Sequence, residues 1–245
     1  GHLPGAQHLA GVALGSLLFN FIFWGFGFLR MGTTGVVAQY FGAGKTESVL
    51  LTVSRGMLIA SSIGLIILLL QGPIINGGLA LLGASPEAAG QARLYAEGRV
   101  WAAPFALIHY VILGWLLGCQ RVRIALAIQI LINVVNLVAV LSFVYGLNWG
   151  VSGIGRATAL ADFSGTAVGA WLIWRKHHSR IKALRWAELI ETAALRRLLQ
   201  INSHIFIRTA CLLATTAWFT HLGAKQGDAL LAANAILLNF LSFTS

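Results

Sequence analysis

Residues 9–29 contain 21 consecutive positions without a charged side chain, and the same happens over residues 56–82, 100–120 and 124–155. A helix rises about 1.5 Å per residue, so about 20 apolar residues cross a hydrocarbon core roughly 30 Å thick. Runs of this length restrict the chain to helices in lipid. Open sheets leave backbone groups unsatisfied there, and no ten-residue alternation of the kind used by membrane barrels is visible. Composition agrees: 58% of the 245 residues are hydrophobic and 10% charged, against about 45–50% and 25% in soluble domains. Soluble enzymes, secreted disulfide scaffolds and disordered chains are thereby excluded. The expected fold class is an all-α polytopic membrane protein.

The 32-residue run over 124–155 is too long for one crossing, and Tyr145, Gly146, Leu147, Asn148, Trp149 and Gly150 have the composition of a turn. One helix is expected to end there and another to occupy residues 151–174. Gly72-Pro73 is the expected exit from the second run, and Pro104 a kink in the third. Residues 198–222, interrupted by Arg208, and a shorter run from residue 229 bring the total to about seven spans. There is no initiator Met and no leader-like start, and the last run stops short of a crossing. The expectation is an internal part of a longer polypeptide. A faint repeat places Gly5 on Gly227 and Phe21 on Phe243, an offset that suits two parallel halves.

The formal charge is +10, from 17 Lys and Arg against 7 Asp and Glu. It resides in alternate loops: Lys45, then Arg121 and Arg123, then seven basic residues between Arg175 and Arg197. Loops near residues 76–85 and 145–150 carry no Lys or Arg. The positive-inside rule therefore puts residue 1 outside and residues 176–196 in the cytoplasm, in a plasma (inner) membrane. No aromatic-basic motif accompanies the charge, so nucleic acid is not an expected partner. Residues 176–196 interleave Ile181, Leu184, Trp186, Leu189 and Ile190 with charges. They read as an amphipathic surface helix or a solvated basic linker, and as the boundary between residues 1–175 and residues 197–245. His177-His178 lacks a third ligand at zinc-like spacing, so no metal is expected, and Cys119 and Cys211 say nothing about redox compartment.

Residues 28–43, FLRMGTTGVVAQYFGA, resemble the second-helix signature of the multidrug and toxic compound extrusion (MATE) transporters, in their DinF-like branch. Residues 113–120, LGWLLGCQ, resemble the end of that family's fourth helix. Asn133 and Asn136 match its fifth helix, Gly153 with Ala157-Thr158 the sixth, Asn202 and Arg208 the seventh, and Ala233-Asn234-Ala235 the eighth. The resemblance covers essentially the whole chain. It implies a twelve-helix, two-lobe transporter of which helices two to eight are present. Residues 1–175 would be the N-terminal lobe without its first helix, 176–196 a linker, and 197–245 the start of the C-terminal lobe. In the family, an Asn and an Asp four residues later on the fifth helix, with a Thr on the sixth, line a cation site. Asn136 and Thr158 match, whereas Val140 stands where the Asp is expected.

Polar groups inside spans are costly in lipid and mark functional candidates. Asn136 is about 16 Å below the outer turn, and Thr158 about 12 Å below Gly150 on the next helix, close enough in depth to face each other. The alternative is that both simply bond neighbouring helices. Asp162 is about 18 Å deep and is the one acid well inside a span. It reads either as a proton acceptor in an outward cavity or as a partner for an Arg. Arg156, six residues away on the same helix, lies on another face. The cation- or proton-site candidates are Asp162, Asn136, Thr158 and Asn133; the substrate-cavity candidates are Asn20, Asn234 and Arg208. His109 reads as a histidine bonded to a neighbouring helix or as a proton relay, and Arg30 and Arg99 as side chains that snorkel from helix ends.

The resemblance implies secondary active efflux of amphipathic or cationic drugs and metabolites by H⁺ or Na⁺ antiport, with two lobes alternating access. No cofactor beyond the coupling ion is implied, and the expected partners are the lipid bilayer and small amphipathic or cationic substrates, around a monomeric transporter. A lipid-linked-sugar or lipid flippase of similar architecture is the nearest rival; it would place several Arg residues in its cavity, for which Arg156 and Arg208 qualify. A seven-helix receptor or retinal protein is more remote, because residues 229–245 hold no Lys for a Schiff base. No HExxH, GxSxG or paired intramembrane Asp supports an embedded enzyme.

Overall fold

The structure is a computed structural model. It describes residues 6–82, 86–183 and 186–196, and beyond them Leu198, Gln200, Ser203, residues 205–208, Cys211 and Thr215. The chain forms two compact units, Gly1–Asn202 and Ser203–Ser245. Among the described residues there is no strand.

In the first unit α1 (Ala6–Gly25) continues, after a two-residue break at Phe26 and Gly27, into α2 (Phe28–Gly42). α3 (Thr46–Leu69) is followed by α4 (Gln71–Leu81). The break falls at Leu70, not at Gly72-Pro73. Pro73 instead occupies the first turn of α4, where its missing N–H is not needed. α5 (Pro86–Arg99), a 3-10 turn over Val100–Ala102 and α6 (Ala103–Gly118) form one nearly continuous rod. α7 (Val122–Leu141) ends in a π-type turn over Ser142–Gly146, and α8 (Gly150–Ala183) begins after the tight connection where Asn148 and Gly150 adopt positive φ. The turn expected near residues 145–150 is there. Four of these segments are long and apolar enough to cross a membrane: Gly11–Gly42, Thr46–Leu69, Pro86–Gly118 and Val122–Gly146. Asp162, Arg156 and a series of Gly, Ser and Thr make α8 more polar, yet its 34 residues extend about 50 Å.

The rod of α5 and α6 is the centre of the bundle, touching α1, α2, α3 and α8. Its side chains Leu107, Val111, Ile112, Trp115 and Leu116 are buried almost completely. Small residues set the approach, as is usual where lipid removes the hydrophobic drive between helices. Cβ atoms built at Gly56 and Gly64 of α3 would strike Val111 and Pro104, and one at Gly114 would strike the Arg30 carbonyl and Thr33 of α2. Along α8 the contacts are Gly155 on Tyr95, Gly98 on Ser152, Thr166 on Phe105 and Gly169 on Ile112. From residues 95–98 against 152–156, through Phe105 against Thr166, to Ile112 against Gly169, numbers rise together, so α8 runs parallel to α5 and α6. With α7 it is antiparallel, from Phe143 against Gly153 to Ile132 against Gly165. The aromatics of α1 divide: Phe19 and Phe23 are core, whereas Phe21 and Trp24 are about half exposed.

α8 does not stop near Trp174; its helix carries the basic residues on to Ala183. A short helix, α9 (Trp186–Leu189), then meets α3. Arg55 of α3, itself mostly buried, donates to the Glu188 carbonyl at 2.6 Å and to the Glu191 carboxylate at 3.0 Å. Without that anchor the segment loses its tie to the bundle. Arg55→Ala should speed amide hydrogen exchange across residues 186–196 roughly several-fold while leaving α5 and α6 protected. Unchanged exchange in that segment would mean that other contacts hold it.

Candidate functional site

Arg99 and Asp162 meet where α5 and α8 run side by side. Arg99 Nη1 donates to Asp162 Oδ2 at 2.5 Å, with the side chains 13% and 14% exposed. Each is about 20 Å along its helix, Arg99 counted from Pro86 and Asp162 from Gly150. The pair therefore lies deep in the bundle. On its other side the Arg99 guanidinium stands 5.1 Å from the ring centroid of Phe23 on α1, a cation–π contact. Salt bridge and ring together make the charges tolerable away from water.

Arg99 does not snorkel from a helix end: its helix begins thirteen residues earlier, at Pro86, and Arg99 is internal to the bundle. Asp162 reads from sequence as a proton acceptor or as a partner for an Arg; here it is paired with Arg99, while Arg156 is exposed and packs over the Trp149 ring at 4.9 Å. The parallel register of α5 and α8 brings the pair together across 63 positions of sequence.

Arg99 also forms one wall of a cleft of about 500 Å³ that includes Asn20, Phe23 and Trp24 of α1 and Tyr110 of α6. Asn20, a substrate-cavity candidate, thus shares a cavity with the cation that holds Asp162. The floor is aromatic, the polar groups are few and convergent, and one of them is charged. That combination suits an amphipathic organic molecule with a polar head.

The other candidates are less concentrated. Thr158 donates its hydroxyl to the Ile154 carbonyl of its own helix at 2.9 Å. The α7–α8 register places Asn136 level with Leu160 and Ala161, about 4 Å deeper than Thr158. Asn136 and Val140 are half-buried and Asn133 is exposed on α7. Arg208 is exposed in the second unit, and Asn234, like Asn202, lies outside the described residues. His109 was expected to bond a neighbouring helix. It is buried on α6 and lies beside the Gln129 side chain of the neighbouring α7. Thr166, which sequence reasoning passed over, does bridge helices: its hydroxyl donates to the Phe105 carbonyl at 2.8 Å, just below the 3-10 turn. No group of three metal-ligating side chains occurs among the described residues.

The chain is 36% identical over 250 residues to the DNA damage-inducible protein F of Escherichia coli (strain K12), an alignment that takes in all of this chain and 53% of that protein. It is 26% identical over 247 residues to the multidrug resistance protein MdtK of Cronobacter sakazakii, again over 53% of that protein. It spans about half the length of these curated relatives. Among solved structures, a MOP superfamily transporter from Pyrococcus furiosus superposes with a TM-score of 0.77 at 21% identity, over 97% of this chain and 53% of that one. A MATE protein in its bent conformation gives 0.76 at 22%, over 93% and 51%. These likenesses concern the fold. The MatE family model matches residues 1–141, more than half of the chain. With its apolar helices and these relatives, the chain is a multi-pass membrane protein and belongs to the MatE family.

Proposed function

We propose that this chain supplies one lobe, and the beginning of the second, of a secondary exporter. It would move amphipathic organic molecules, cationic drugs among them, out of the cell in exchange for H⁺ or Na⁺. Residues 1–175 form the first lobe in this reading, 176–196 the cytoplasmic connector and 197–245 the start of the second lobe, in the plasma (inner) membrane with residue 1 outside. The observation that carries the proposal is Arg99, which lines the aromatic cleft with Asn20 and is paired behind it with Asp162. A pair of opposite charges deep in a helical bundle is an expensive feature for a merely structural role. A proton on Asp162 removes the counter-charge of Arg99 and alters the polar head of the cleft. Proton uptake and ligand affinity are thereby linked through one guanidinium. Proton coupling fits better than sodium in this half, because Val140 replaces the family's carboxylate on α7 and Arg99 already occupies Asp162.

The test is drug accumulation in cells carrying the full-length protein, with pH and Na⁺ gradients varied separately. With efflux normalised to the amount of folded protein in the membrane, Asp162→Asn is expected to reduce pH-driven efflux several-fold, while the fraction that folds still binds drug. Efflux that keeps both its rate and its pH dependence in that variant would return Asp162 to a structural role.

A further inference from the structure

At the opposite end of the bundle from the α7–α8 turn, where α6 stops and α7 starts, two adjacent cavities share the side chains of Trp115, Arg121 and Lys176. Their volumes are about 420 and 330 Å³. The smaller also takes in Arg175, with Ile124 and Leu172 as its apolar wall. No Asp or Glu lines either cavity. Arg121, Arg175 and Lys176 have no carboxylate partner among the described residues.

Local backbone geometry fixes the central cation. Gln120 adopts φ +59°, the Gln120 N–H bonds the Leu117 carbonyl, and the Arg121 N–H bonds the Leu116 carbonyl at 2.7 Å. This double closure terminates α6 in a left-handed cap and leaves Arg121 as the residue that starts α7. The guanidinium then rests 5.8 Å from the ring centroid of the buried Trp115. The positive end of the twenty-residue α7 lies beside it. Arg175 is braced in the same way over Trp171, at 5.2 Å.

We infer that these cavities bind the phosphodiester headgroup of an anionic phospholipid. Three cations converge on a recess of headgroup size, and the recess sits at the end of the spanning segments. Trp171 and Trp174 are exposed just before the basic cluster, the position aromatic side chains take at a membrane surface. Below the recess the α7 surface is apolar and open, with Val122 and Leu126 each 59% exposed, so acyl chains can follow the headgroup. Basic pockets between spans on the cytoplasmic side have this chemistry. A free phosphate would satisfy the cations but would leave the apolar wall uncovered.

The test is independent of transport. The full-length protein, purified in a neutral detergent, is titrated with phosphatidylglycerol and, separately, with phosphatidylcholine, and bound lipid is counted by native mass spectrometry. Arg121→Gln/Lys176→Gln should weaken phosphatidylglycerol binding on the order of tenfold and leave phosphatidylcholine unchanged. Lys45→Gln/Arg123→Gln removes the same charge from outside the cavities and should retain the lipid. Arg175→Gln should act in the same direction at smaller size, and it carries the comparison if the double variant does not fold. Equal losses in the two double variants would mean diffuse surface charge and overturn the site. Displacement of phosphatidylglycerol by excess inorganic phosphate would mean a soluble-anion site and overturn the lipid.

Discussion

Arg99→Gln is expected to remove most folded protein from the membrane, and Arg99→Gln combined with Asp162→Asn to restore much of it. The single change leaves a carboxylate 14% exposed, deep in the bundle, with its cation gone. Breaking a buried pair from one side costs about 3–5 kcal/mol, whereas replacing both members together is often neutral. A loss of that size consumes much of the stability of an ordinary domain, typically about 5–15 kcal/mol. The Phe23 ring loses its cation as well, which adds roughly 0.5–2 kcal/mol. The measurement is the yield of monodisperse protein on size-exclusion chromatography for both single variants and the double. Recovery in the double identifies the ion pair as the cause. If the double is as depleted as Arg99→Gln alone, the guanidinium acts through packing on Phe23 and not through Asp162. Restored yield without pH-driven efflux in the double variant would separate the structural contribution of the pair from the coupling proposed for it.

The second large effect is at Gly155. A Cβ there would lie 2.3 Å from the Tyr95 carbonyl oxygen and 2.9 Å from the Arg99 amide nitrogen. Both are backbone atoms, so no rotamer change relieves the clash. Gly155→Leu must separate α8 from α5 at the level that brings Asp162 to Arg99. Overpacking in a well-packed core costs about 1–3 kcal/mol, and contact with backbone belongs at or above the upper end of that range. Expression at wild-type yield with an unchanged melting temperature would show that the two helices can spread without penalty. By contrast, Gly35→Ala on α2, where an added Cβ meets nothing within 4 Å, should fold normally.

Much of the helical layout was legible because lipid reduces structure prediction to run length. The first span, the 145–150 turn and the family block over residues 28–43 each rest on local composition. The rod containing Arg99 was not legible. Its first half, with Glu87, Arg93, Glu97 and Arg99, is too charged for a hydropathy reading, which therefore begins the span at residue 100. Hydropathy averages over the whole circumference of a helix, while α5 buries only Ala88, Ala92, Tyr95, Ala96 and Gly98. The signal lay in that spacing of three and four residues, which the helical period would have exposed. Asp162 was found because an acid in an apolar run is conspicuous, but its partner depended on the register between distant helices. Depth counted from the outer turn puts Asn136 about 4 Å below Thr158, and the packing of Ile132 on Gly165 keeps that separation.

In the exporter proposed above, the Arg99–Asp162 pair would also bear on the response to the membrane voltage. While the two are joined they carry no net charge, and the transmembrane field exerts almost no net force on them. A full crossing of one charge is worth about 2.3 kcal/mol per 100 mV, so a charge near mid-depth feels roughly half of that. Any step that neutralises Asp162 leaves Arg99 as one unbalanced positive charge, and an inside-negative potential then pulls that part of the lobe inward. In that proposal the pair adds to voltage sensitivity only while Asp162 is neutral, so the coupling ion and the membrane potential would act through the same guanidinium.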